Sequence, residues 1–199
     1  MLPSERDVRV CFVGDSYVAG IGDETALGWV GRVVAASAAR GRPLTAYNLG
    51  VRRDTTALVA DRVAREVPPR LVGAAEPRVV VSSGVNDTVL EDGAPRLDTA
   101  GSVAALRRLG EGLTTTPLLV VGPVAVADPE HDRRVARLDV ALRAEATRLG
   151  ARYVALHERT GDDDAWRREV RAGDGFHPGA AGYEMLADLL AGPVLDWLG

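Results

Sequence analysis

Four short apolar runs, Val8–Val13, Val79–Val81, Leu118–Val121 and Tyr153–Leu156, recur along the chain with helical patterns between them. They are mostly apolar rather than alternating, which suits strands covered on both faces. A weaker fifth candidate is Leu44–Asn48. Between the runs lie Leu27–Arg40, Thr55–Glu66, Val103–Leu113 and His131–Leu149, each with apolar residues at helical spacing. In the last, Val135, Leu138, Leu142, Ala146 and Leu149 form one stripe, Arg133, Arg137 and Arg148 fall opposite, and Gly150 supplies the stop. A final helix is predicted from Pro178, with Tyr183, Leu186, Leu189, Leu190 and Val194 as its packing face and Trp197 closing it. Gly192-Pro193 is predicted to kink or break it. Strand alternating with helix predicts α/β architecture: a parallel sheet with helices on both sides. No repeat, long linker or second core is visible, so residues 1–199 are read as one domain, long enough to bury a core without disulfides or metal.

Composition removes several chemistries. All 24 basic residues are arginine, which excludes lysine nucleophiles and Schiff bases. The net charge of −4 gives no reason to expect nucleic acid. One cysteine, Cys11, excludes an internal disulfide framework or a cysteine-rich zinc site, and its place in the first apolar run predicts a buried, inert thiol. The first residues, Met1 to Asp7, are charged and mixed in sign, and the apolar stretch after them is too short for a signal core or membrane span. A cytoplasmic protein without stable membrane association is expected. Asp162-Asp163-Asp164 reads as a solvated loop or helix start rather than a metal site.

The residues that carry chemistry lie at the two ends of the chain. Val13-Gly14-Asp15-Ser16-Tyr17 follows the first predicted strand, so Ser16 stands at the sheet's carboxyl edge, where loops share one crevice. A helix N-cap would use the same residue type. Near the other end, Asp174-Gly175-Phe176-His177-Pro178 sets a carboxylate three residues before an imidazole, in reach of it within one loop. Serine is a weak nucleophile until an imidazole takes its proton, and the imidazole works best when a carboxylate fixes its tautomer. Of the other two histidines, His131 opens a charged helix and is expected at the surface, whereas His157 ends the last predicted strand and could approach the site edge. Asn48-Leu49-Gly50 and Gly84-Val85-Asn86-Asp87 follow the second and third strands. Singly each reads as a turn. Together, the N–H groups of Ser16 and Gly50 and the Asn86 amide would make a three-donor oxyanion hole.

At these positions the chain resembles the SGNH hydrolases, also called the GDSL lipase/esterase family, over essentially its whole length. Ser16, Gly50, Asn86 and His177 match in the family's order, and Asp174 fits its Asp-x-x-His pattern. The resemblance implies a flavodoxin-like three-layer α/β/α domain on a five-stranded parallel sheet. It also implies hydrolysis of a small-molecule ester or thioester through an acyl-enzyme, with no cofactor or metal. Tyr17 stands where the family name has Leu, a departure that bears on substrate preference. Arg52 and Arg53 make the segment after Gly50 unusually charged, and with Tyr17 and His157 they are candidate substrate-pocket residues. Thioesterase, lysophospholipase and sugar O-deacetylase activities use the same site and are alternatives. A non-catalytic doubly wound binding module is the alternative of another class. It fails on motifs, because Gly20-Ile21-Gly22 lacks the third glycine of a dinucleotide fingerprint and no phosphate-loop lysine exists.

Overall fold

The fold is taken from a computed structural model that describes residues 6–113 and 115–199. The Met1–Glu5 part of the mixed-charge N-terminus lies outside them. The first apolar run forms β1 (Val8–Gly14), followed by a one-turn helix α1 (Ser16–Ala19) and by α2 (Gly28–Ala39). Next come β2 (Thr45–Gly50), α3 (Thr56–Glu66), α4 (Pro68–Leu71) and β3 (Glu76–Ser82). A 3₁₀ turn (Asn86–Thr88) leads into a small hairpin, β4 (Leu90–Glu91) and β5 (Ala94–Pro95), and then α5 (Thr99–Gly112) and β6 (Leu118–Val121). The chain finishes with α6 (Pro129–Arg148), β7 (Arg152–Val154), α7 (His157–Gly161), α8 (Asp164–Ala172) and α9 (Ala180–Leu198).

The main sheet has five strands in the order β2-β1-β3-β6-β7, all parallel. Successive residues of β1 serve opposite layers: Val10 and Phe12 join one core cluster, Cys11 and Val13 the other. That division is the physical reason β1 reads as a continuous apolar run. The first cluster takes Trp29 and Val33 of α2, Trp166 and Val170 of α8, and Tyr183, Leu186 and Leu190 of α9. The second takes Val59 and Val63 of α3, Leu106 and Leu109 of α5, and Leu138 and Leu142 of α6. These two layers and the sheet between them make the expected α/β/α sandwich. Cys11 is fully buried, and burial pushes its thiol up to about 11.

Several boundaries move for local reasons. Helix α5 starts four residues before the predicted Val103 because the Asp98 carboxylate accepts the Gly101 N–H at 2.7 Å. β2 runs two residues past the predicted Asn48, and β7 stops at Val154, so His157 begins a helix instead of ending a strand. α8 starts at the acidic run, for which the sequence allowed either a loop or a helix start. Its cap comes from the acidic run, where Asp163 accepts the Trp166 N–H at 2.9 Å. α9 begins at Ala180 rather than Pro178 and continues through Pro193 instead of breaking there. Val194, Leu195 and Leu198 beyond the proline are buried in the first cluster, and that packing outweighs the lost helical hydrogen bond. No helix among the described residues is long and apolar enough to cross a membrane.

The end of β1 is the tightest point of the sheet. Gly14 is paired with Gly50 of β2 on one side and Ser82 of β3 on the other. A Cβ at Gly14 would stand 2.0 Å from the Ser82 carbonyl oxygen and 2.6 Å from Val18 Cγ2. Gly14→Ala is therefore expected to cost about 2 kcal/mol or more, through displacement of backbone rather than of a flexible side chain. Urea denaturation checks this, and an unchanged midpoint would show that the turn has slack.

Candidate active site

β1 delivers the chain to Asp15, whose carboxylate accepts the Tyr17 N–H at 3.0 Å and caps α1. Ser16 is thereby the first residue of a helical turn. Its N–H has no hydrogen-bond partner among the described residues, as expected for an orphan donor at a helix start. The C-terminal loop arrives over the same edge. Gly175, at φ +85°, turns the loop so that Asp174 Oδ1 accepts the backbone N–H groups of Phe176 (3.0 Å) and His177 (2.8 Å). Ala127 N–H donates to the Gly175 carbonyl at 3.0 Å, and the Tyr17 hydroxyl donates to the Phe176 carbonyl at 2.7 Å. The loop is thus tied both to the segment after β6 and to the residue beside Ser16.

These ties bring the two ends of the chain into contact. His177 Nδ1 lies 2.7 Å from Asp174 Oδ2, and His177 Nε2 lies 2.8 Å from Ser16 Oγ. Burial works against an ionised Asp174. The His177 backbone N–H, the His177 ring and the Phe176 N–H together outweigh it and bring the carboxyl down to about 2. An ionised carboxylate can only accept, so Nδ1 carries the proton and Nε2 is left to accept from the serine hydroxyl. Tyr17 is buried and its ring centroid stands 5.2 Å from that of His177.

The Asn86 turn forms the neighbouring wall. Asn86 Nδ2 donates to the Asp54 carbonyl at 3.0 Å, and its other hydrogen has only a long 3.4 Å contact with Asp15 Oδ2. Below it, Asp87 is fully buried and accepts the Thr56 N–H at 2.8 Å and the Ser102 hydroxyl at 2.7 Å. Burial raises the Asp87 carboxyl and pushes that of Asp15 up to about 7, with the charges of Asp87 and Asp54 adding to the Asp15 effect. His131, expected at the surface, is instead buried. Its Nε2 lies 2.9 Å from Thr88 Oγ1 and 3.2 Å from the Val85 carbonyl, packed beside Phe176. Capping by Asp128 sets His131 on the inner side of the first turn of α6.

A cleft of about 260 Å³ holds Ser16, His177, Asp174 and Asn86, together with Tyr17, Arg52 and Arg53. Phe176, Val85, Val89 and Arg96 complete its lining, and none of these four was singled out in the sequence. The readable signal for Arg96 is Asp92-Gly93, a hairpin turn dipeptide with both residues at positive φ, which brings Arg96 back toward the site.

Two expected residues are not brought to the cleft. Gly50 is still inside β2, and its N–H donates to Asn48 Oδ1 at 3.0 Å. Its glycine identity has another cause: a Cβ there would stand 2.2 Å from the Ala19 nitrogen. Three residues later the chain reaches the cleft, where Arg53 takes φ +70° and its N–H is unpartnered among the described residues. His157, removed from the site edge by the short β7, pairs with Asp132 Oδ1 at 3.0 Å, and that carboxylate raises its pKa against the effect of burial.

A match to the GDSL-like Lipase/Acylhydrolase family spans residues 12–185. The chain belongs to this family. It is accordingly a carboxylic ester hydrolase of the serine type. Among solved structures, the lipase/acylhydrolase from Enterococcus faecalis is 22% identical, with a TM-score of 0.78 over 94% of this chain and 95% of that one. Axe2, an acetylxylan esterase from Geobacillus stearothermophilus, is 18% identical, with a TM-score of 0.73 over 94% of each chain. The psychrotrophic esterase EstA from Pseudoalteromonas sp. is 15% identical, with a TM-score of 0.75 over 96% of this chain and 99% of that one. No curated protein matches the sequence. At these identities the structural likeness bears on the fold, and the family membership rests on the sequence match.

The raised carboxyl of Asp15 has a measurable consequence. Between the ordinary carboxyl range and about pH 7 the folded chain holds a proton that the unfolded chain has lost, so this group lowers stability as pH rises through that interval. Asp15→Asn should shrink the drop in melting temperature between about pH 5 and pH 8. An undiminished drop would place the titration elsewhere.

Proposed function

We propose that Ser16 is the nucleophile, His177 its general base and Asp174 the group that orients the imidazole. The observation that carries this reading is the continuous hydrogen-bonded path from Ser16 Oγ through both ring nitrogens to a carboxylate held ionised. As the serine oxygen attacks the acyl carbonyl, Nε2 takes the hydroxyl proton and Asp174 stabilises the resulting imidazolium. The negative oxygen of the tetrahedral intermediate accepts from the Ser16 N–H and from the second hydrogen of Asn86 Nδ2. Arg53 supplies the third donor in place of Gly50, because its N–H is unpartnered among the described residues and the residue lines the cleft. The intermediate collapses as Nε2 returns the proton to the leaving alcohol. Water then repeats the sequence on the acyl-enzyme and releases the acid.

The small cleft supports a small-molecule ester with a short acyl group rather than a long lipid chain. O-acetyl esters fit that size, in keeping with the acetylxylan esterase whose fold this chain shares. Thioesters with equally short acyl groups would use the same steps.

Ser16→Ala should lower kcat on a short p-nitrophenyl ester by about four to six orders of magnitude and abolish labelling by a fluorophosphonate. Retained turnover in that variant would remove the nucleophile assignment. Asn86→Ala should lower kcat about 100- to 1,000-fold with little change in KM, whereas a change confined to KM would argue against an oxyanion role. Because Asp174 stays ionised down to about pH 2, its own protonation removes no activity between about pH 4 and pH 8, and Asp174→Asn should lower kcat throughout that interval. Equal rates for the parent and Asp174→Asn across that interval would assign no orienting role to the carboxylate.

A further inference from the structure

We infer that the cleft selects esters that carry an anionic group, a carboxylate or a phosphate, close to the scissile bond, and that Arg52, Arg53 and Arg96 recognise it. The inference rests on the hydrolase reading of the Ser16 site and adds the substrate class. Three of the cleft's lining side chains are guanidinium groups, in a chain whose net charge is −4. The one carboxylate of the lining, Asp174, is committed to His177. Arg52 is exposed and has no ion-pair partner among the described residues.

The other two arginines are held in a defined geometry. Arg96 donates from Nη1 to the Arg53 carbonyl at 2.9 Å, which fixes its guanidinium against the 51–54 loop. One oxygen of Glu91 then lies 3.3 Å from Arg53 Nη2 and 3.2 Å from Arg96 Nε. Glu91 therefore already shows that a single carboxylate oxygen can be shared between these two guanidinium groups. Glu91 itself is half exposed and sits on the two-residue strand β4, so a substrate anion can compete with it or add to Arg52 beside it. Planar guanidinium forks suit carboxylate and phosphate oxygens, while Tyr17, Val85, Val89 and Phe176 offer apolar surface to the rest of the ester.

The test compares Ser16-dependent kcat/KM for matched pairs at low ionic strength, each rate divided by the ester's rate of hydroxide hydrolysis. For charge on the acyl side, mono-p-nitrophenyl glutarate is set against p-nitrophenyl valerate. On the alcohol side, meta-acetoxybenzoate and meta-acetoxyphenyl phosphate are set against phenyl acetate, which also separates carboxylate from phosphate. At least one charged member should be preferred about tenfold or more, with the preference falling in about 0.5 M salt. Arg52→Glu should erase or invert the preference, and Glu91→Gln, which frees both other arginines, should enlarge it. Those opposite shifts would not follow from a merely structural role of either residue. Hydrolysis of the neutral esters with no preference for any charged member overturns the substrate class and leaves the hydrolase reading standing. So does a preference that neither variant moves. Absence of Ser16-dependent hydrolysis of every ester overturns the assignment of Ser16, and the substrate class with it.

Discussion

A serine hydroxyl and an imidazole 161 positions apart along the chain approach to 2.8 Å because β1 lies inside the sheet rather than at its edge. From β1 the connection runs outward to β2 and then crosses back to β3, so the chain leaves the top of β1 beside a crevice that opposite connections leave open. That crevice is where the residue after Asp15 emerges, and where the loop before α9 returns. Gly14 carries the steric demand of this arrangement, since the Ser82 carbonyl of β3 and the Val18 side chain of α1 close on it where the backbone turns. The contact between hydroxyl and imidazole therefore inherits its precision from the packing of two apolar layers around one strand.

The second feature of the site is the acid buried beneath it. Asp15 and Asp87 are both nearly or fully inaccessible, and neither forms an ion pair among the described residues. Their hydrogen bonds run to backbone N–H groups, a serine hydroxyl and the Asn86 amide. Asp87 joins the start of α3 to α5, and the Asn86 turn sits directly over this junction. The floor of the site is thus built from polar groups that fix positions at the expense of stability. His131, lodged between Thr88 and Val85 and packed beside Phe176, ties the same turn to the loop that holds the imidazole.

The strands and most helices were legible because burial on two faces leaves a continuous apolar run and burial on one face leaves a helical stripe. The meeting of Ser16, Asp174 and His177 at one cleft was legible in residue type and short spacing. Gly50 was misread for a reason of the same kind. A glycine after a strand suggests a backbone donor, yet here the close approach of Ala19 explains it, and the left-handed residue at the cleft is an arginine. His131 and His157 were misplaced because their environments depend on where a capped helix starts and where a strand stops. Neither boundary is fixed by composition. The acidic start of α8 was legible but its body was not, because only Trp166 and Val170 of its nine residues are buried.

The hairpin of β4 and β5 lies outside the main sheet, joined to it by neither strand pairing nor a share of either apolar cluster. It nevertheless carries Glu91 and leads into Arg96 at the cleft. Changes in its length or charge can accumulate without disturbing the layers that align Ser16 with His177. Such a modular rim lets a lineage retune which molecules it accepts while its bond-breaking apparatus stays untouched.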